Sequence, residues 1–168
     1  MLRKVIAVIG SLFLLTGCAS TESDSGFSRQ DLMFAEMMIP HHQQAILISD
    51  LALENSTNPK ILDLANRIKS AQAPEIEQMK SWPEVDTSSH MGHMMSGMLS
   101  ENELAELRAA RGADFDRLFL LGMIKHHEGA IDMAEMVSDS NNLEVATLAK
   151  AIIAAQRGEI EEMQALLD

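Results

Sequence analysis

From residue 29 onward, apolar residues recur every three or four positions. With about 100° per residue and Phe34 as origin, Met38 falls at about 40°, Ala45 at about 20°, Ala52 at about 0° and Ile48 at about 320°. Glu36, Gln43 and Asp50 fall on the opposite side, the wet face of a helix. The pattern predicts helices over 29–54, 58–80, 101–111, 113–138 and 142–167. No run of β-branched residues alternates with period two, so no strand is expected. Asn58-Pro59 reads as an N-cap followed by proline at the first helical position, and Asn142 holds the matching place. Ser100-Glu-Asn-Glu103 fits a capping box opening a short helix that Gly112 would end.

The pattern is duplicated. Asp31–Ile46 aligns with Asp116–Ile131, and Phe34/Phe119, Met38/Met123, Ile39/Ile124, His41/His126, His42/His127 and Ala45/Ala130 coincide. Beyond a loop that differs by one residue, Leu64/Leu148, Gln72/Gln156, Glu75/Glu159, Ile76/Ile160 and Met79/Met163 coincide. Each half is therefore helix, short loop, helix. Two such hairpins predict an all-α protein, an antiparallel four-helix bundle over 29–168. Pro40 should kink the first helix or break it locally. The segment 81–99, with Pro83, two Gly and several Ser, is expected to be a linker loop.

The chain opens differently. Arg3 and Lys4 precede an apolar run from Val5 to Leu15, too short to span a membrane and suited to a secretory signal. Leu15-Thr-Gly-Cys18 resembles the bacterial lipobox, which implies removal of residues 1–17, a lipid anchor on Cys18 and a periplasm-facing envelope protein. Ala19 after the cysteine favours the outer membrane over the inner. Residues 18–28 are small and polar, and read as a flexible tether.

Composition then narrows the chemistry. A net charge of −12, from 25 acidic and 13 basic residues, argues against nucleic acid and suits attraction to cations. One Cys excludes a disulfide framework and a thiolate zinc finger. Against that stand 13 Met and six His in 168 residues with no Tyr. Thioethers and imidazoles without thiolate favour Cu(I) or Ag(I), and imidazole with water or carboxylate also takes Cu(II).

The histidines sit where such a site could form. On the same helical projection His41 and His42 fall on either side of the middle of the apolar face, and His126 and His127 repeat this in the second copy. Met38 precedes His41 by three and His42 by four residues, one helical turn, and Met123 has the same relation to His126 and His127. Adjacent residues diverge by about 100° on a helix, so a shared site between helices is more natural than chelation by one pair. Met37 and Met133 lie close enough to join them. Gln72, Glu75 and Met79, repeated as Gln156, Glu159 and Met163, share one face and are candidates as ligands or as partners that orient ligands. In the linker, His90, Met91, His93, Met94, Met95 and Met98 have no packing role and are read as a second set of ligands for Cu(I) or Ag(I).

Met38-Ile-Pro-His-His-Gln-Gln-Ala and Met123-Ile-Lys-His-His-Glu-Gly-Ala-Ile-Asp-Met-Ala, followed by Gln-x-x-Glu-Ile, resemble the bacterial family named domain of unknown function 305. The resemblance implies a ferritin-like four-helix bundle associated with copper or silver binding and resistance, with His41, His42, His126, His127 and nearby Met as ligands. Gln44 stands where the motif commonly has Gly, as Gly129 does in the second copy, and is expected to alter packing rather than chemistry. The function expected is an envelope lipoprotein that binds and buffers copper or silver without turnover. The alternatives are a metal-free envelope interaction or stress module and a ferritin-like di-iron oxidase. The last requires Glu-x-x-His pairs, whereas the positions three before the histidines hold Met38, Ile39, Met123 and Ile124.

Overall fold

The computed structural model describes residues 26–86, 88 and 95–168. The signal segment, Cys18, and His90, Met91, His93 and Met94 of the linker lie outside the described residues. Among the described residues five helices follow one another: α1 (Arg29–Asn55), α2 (Pro59–Lys80), α3 (Glu101–Ala109), α4 (Gly112–Glu135) and α5 (Leu143–Leu167). The protein is all-helical; among the described residues there is no strand, and no helix is long and apolar enough to cross a membrane.

Local chemistry sets the helix starts. Ser28 caps α1 in a reciprocal box with Asp31, and Ser100 caps α3 in another with Glu103. Asn58 and Asn142 each accept hydrogen bonds from the first free N–H groups of α2 and α5. Two expected helix boundaries fail. Gly112 does not end α3, which stops at Ala109; it stands at the start of α4 with a positive φ of 57°, which glycine adopts without a Cβ penalty. Pro40 lies inside α1, which runs through it unbroken, as α2 runs through Pro74. α4 ends at Glu135 rather than 138, because Val137 and Ser138 turn away through short-range bonds to Ala134 and Glu135.

α1 packs along α2, α4 along α5, and the two hairpins meet through α1 and α4. The N-terminal half of α1 and the C-terminal half of α4 share one apolar cluster, so these helices run antiparallel. That cluster holds Phe34, Met38, Met79, Met133, Val145 and Ile152. Phe27 closes it against Trp82, ring centroids 5.3 Å apart, while Trp82 donates through Nε1 to Glu144 at 2.8 Å. Phe27 and Ser28, which the sequence assigns to the tether, are built into the helical body. A second cluster at the other end holds Ile48, Ile61, Leu64, Phe115, Phe119, Met123 and Met163, with Leu104 and Leu107 of α3.

The C-terminal part of the linker is a loop pinned to the helices, and Met95, read above as having no packing role, packs against the first cluster. Gln44 clamps Leu99 by both amide atoms, accepting from its N–H at 2.8 Å and donating to its C=O at 3.0 Å. Gly97, at a φ of 81°, lies so close to α4 that a Cβ there would stand 2.5 Å from the Lys125 carbonyl oxygen; one on Gly129 would stand 2.0 Å from the Ser96 oxygen. Gln44 and Gly129 thus occupy equivalent repeat positions and both receive the linker, one by hydrogen bonds and one by absence of a side chain. Gln44 accordingly does more than alter packing.

Candidate metal centre

Between the two apolar clusters lies a polar layer. α1 contributes His41 and His42, α4 His126 and His127, and all four side chains are fully buried. α2 contributes Gln72 and Glu75, α5 Gln156 and Glu159; both glutamines are buried. The duplication appears as an approximate two-fold relation. His42 Nε2 donates to Glu75 Oε2 at 2.9 Å, and His127 Nε2 donates to Glu159 Oε2 at 2.8 Å.

His41 and His126 meet at the centre with ring centroids 3.8 Å apart. Here the symmetry breaks. His126 Nε2 donates to the His41 carbonyl oxygen at 3.0 Å, whereas His41 Nε2 donates to the Ser96 carbonyl oxygen, also at 3.0 Å. The linker supplies the partner that the opposite helix supplies in the other half.

Every Nε2 therefore faces an oxygen that can only accept, which places the ring proton on Nε2. In a neutral ring the Nδ1 is then a bare lone pair. All four Nδ1 atoms are buried without a hydrogen-bond partner, as are both amide atoms of Gln72 and Oε1 of Gln156. Each such atom costs about 1–3 kcal/mol if left dry and unpaired, so a concentration of seven in one layer calls for a ligand.

Burial also keeps the central rings neutral. It pushes His41 from the usual 6.5 down to about 3, reinforced by the neighbouring His42 and opposed by the bond to Ser96. His126 is held well below the ordinary histidine range by burial first and His41 second. Neutral imidazole is the form that binds metal, and a ring whose other nitrogen is tied to a carboxylate is an oriented, more basic ligand.

Thioethers flank the layer. Met38, Met79, Met123 and Met163 are fully buried, Met133 nearly so, and Met37 half-buried. Met95 and Met98, both half-buried, are joined by a turn in which Met98 N–H donates to Met95 C=O at 3.2 Å. Among the described residues no three His, Cys, Asp or Glu side chains converge as a ready-made cage. Carboxylates and imidazoles here orient one another, and buried thioethers stand beside them. The sequence indicated every histidine and both glutamates of the layer, but not Ser96 or the role of Gln44. The mismatch of Gln44 with Gly129 in the repeat was the one available signal.

The family model for the domain of unknown function DUF305 matches residues 31–167, the helical body almost entire. The chain belongs to the DUF305 family. Among solved structures it resembles a DUF305 fragment from Deinococcus radiodurans, at 33% identity over 83% of this chain and 96% of that one, with a TM-score of 0.74. A DUF305 protein from Streptomyces coelicolor matches at 28% identity over 82% and 91%, TM-score 0.75. CopM in its Cu(II)-bound form matches at 34% identity over 82% and 95%, TM-score 0.71, and CopM was also solved with Cu(I) and with Ag bound. No curated protein matches the chain.

Proposed function

We propose that this protein binds and buffers copper or silver ions, without turnover, as a lipid-anchored protein of the bacterial envelope. The observation that carries the reading is the buried layer of four histidines whose Nδ1 lone pairs have no partner. Met38 and Met123, one turn before each histidine pair, supply soft donors of the kind Cu(I) and Ag(I) prefer, and the imidazoles serve Cu(II). The similarity to CopM in its Cu(I)-, Cu(II)- and Ag-bound forms supports the same choice of ion. The two hairpins form an antiparallel four-helix bundle of the ferritin-like kind, with the metal layer at mid-height. Redox turnover at a di-iron centre finds no support, since no Glu-x-x-His pair stands at the layer.

An envelope location rests on the lipobox-like Leu15–Cys18 and agrees with the naming of the Streptomyces coelicolor relative as a candidate secreted protein. Intact mass of the native protein should show loss of residues 1–17 and added acyl mass; an unacylated Cys18 overturns the anchor.

Titration with Cu(II) and Ag(I) tests the layer. His42→Gln with His127→Gln keeps a donor toward each glutamate while removing two lone pairs, and should abolish tight Cu(II) uptake with the helical spectrum unchanged. Equal Cu(II) uptake by parent and variant overturns the assignment, and tighter Fe(II) than Cu(I) binding with oxygen consumption would favour the oxidase.

A further inference from the structure

The seam between α1 and α4 carries a further run of sulfur, in which Met33 and Met136 extend outward from Met37 and Met133 beside the histidine layer. At about 100° per residue with Phe34 as origin, Met33 and Met37 lie to one side of the apolar face of α1. Counted in the same way from Phe119, Met133 and Met136 lie to the same side of α4 and its C-cap, Met136 at the angle of Met33 and Met133 close to that of Met37. α1 and α4 are antiparallel and related by an approximate two-fold, so equal angles lie on one side of the seam. That side faces outward, where the linker crosses Gln44 and Gly129.

The register is fixed by Gln30 Nε2, which donates to the Met136 carbonyl oxygen at 2.7 Å and so brings Met33, one turn further along α1, to the same stretch of α4. Met37 and Met95 pack against the buried cluster that contains Met38 and Met133. Exposure falls along the row, from 48% at Met136 and 39% at Met33 to 5% at Met133 and 0% at Met38. Met136 also lines a solvent-open cavity of about 640 Å³ at this end of the molecule. The row therefore runs from solvent into the apolar cluster that holds Met38 and Met133.

Packing does not require the sulfur. The repeat equivalents of Met33, Met37, Met133 and Met136 are Leu118, Gly122, Ile48 and Leu51. The other half of the seam fills the same positions with hydrocarbon or nothing. Two large thioethers left open to water at one end, where the duplicate uses aliphatic residues, indicate a role for the donor atom itself.

We propose that Met33, Met37, Met133 and Met136 form a separate thioether site on the α1–α4 seam for a soft monovalent cation, Cu(I) or Ag(I), at the end of the seam that opens to solvent. The site takes its cargo from the function proposed above but uses none of the histidines. The test uses the full chain labelled with ¹³C at methionine methyl groups and titrated with Ag(I), beside a Met33→Leu, Met136→Leu double variant. The methyl signals of Met33 and Met136 should shift in the parent, and the variant should lose one tightly bound Ag(I) while taking up Cu(II) as the parent does. Unmoved Met33 and Met136 signals, or undiminished Ag(I) uptake by the variant, overturn the seam site and leave the histidine reading standing. A parent whose methyl signals shift with Ag(I) but which binds no Cu(II) upholds the seam site and overturns the histidine layer. The signals in the parent decide the matter even if the variant folds poorly.

Discussion

At the scale of single residues, the polar layer is held in place by bonds that leave its metal-facing atoms unused. Glu75 and Glu159 orient His42 and His127 through Nε2. Glu75→Gln with Glu159→Gln should therefore weaken Cu(II) binding about 10–100-fold while helix content stays constant; a competition titration with a chelator of known affinity reads the change. Gln72 presents the opposite case, since neither of its amide atoms has a partner. Gln72→Met should raise the stability of the metal-free protein by about 1–3 kcal/mol, seen as a higher denaturant midpoint. The central histidines also fix a pH dependence. Burial holds the folded-state value of His41 at about 3 against 6.5, and lowers His126 as well. The unfolded chain thus binds protons that the fold refuses. Stability is fully present above pH 6.5 and falls as pH drops toward 3, by up to about 1.4 kcal/mol per unit for each such histidine. Urea denaturation of the metal-free protein at stepped pH measures the slope, and a flat profile across this window would contradict neutral central rings.

At the scale of elements, the linker and α4 interlock through glycine. A Cβ on Gly129 would meet the Ser96 backbone, whereas one on Gly158, well inside α5, would meet nothing. Both are helical, so alanine should gain up to about 1 kcal/mol at each from backbone entropy alone. Gly158→Ala should show that gain in thermal melts. Gly129→Ala should instead lose stability and displace the linker from His41, weakening metal uptake without touching a ligand. Three of the helices were legible at their starts because the signals are local: Asn58, Ser100 and Asn142 each satisfy free N–H groups within three residues. Gly112 accommodates a positive φ that either a helix end or a helix start can use, and the sequence does not say which.

At the scale of the whole molecule, the layer joins both hairpins, so an ion held there binds the native state and not the unfolded chain. Saturation at about 100 times the dissociation constant should stabilise the protein by about 2.7 kcal/mol, a rise in melting temperature of about 5–10 °C for a domain of this size. Calorimetry with and without Ag(I) checks this, and the Met33→Leu, Met136→Leu variant should retain the part of the rise that belongs to the layer.

The order of residues alone carries the duplicated hairpin, the inward direction of all four histidines and the recurrence of Gln72, Glu75 and Met79 in the second copy. These follow from a helical period and a repeat, and neither needs a contact between distant segments. Long-range packing set the rest. Which nitrogen of each histidine is tied off depends on oxygens up to 85 residues away, and His41 finds Ser96 where His126 finds the opposite helix. That asymmetry cannot be read from two nearly identical repeats. It arises because one linker crosses the seam once, and a single crossing cannot obey a two-fold relation.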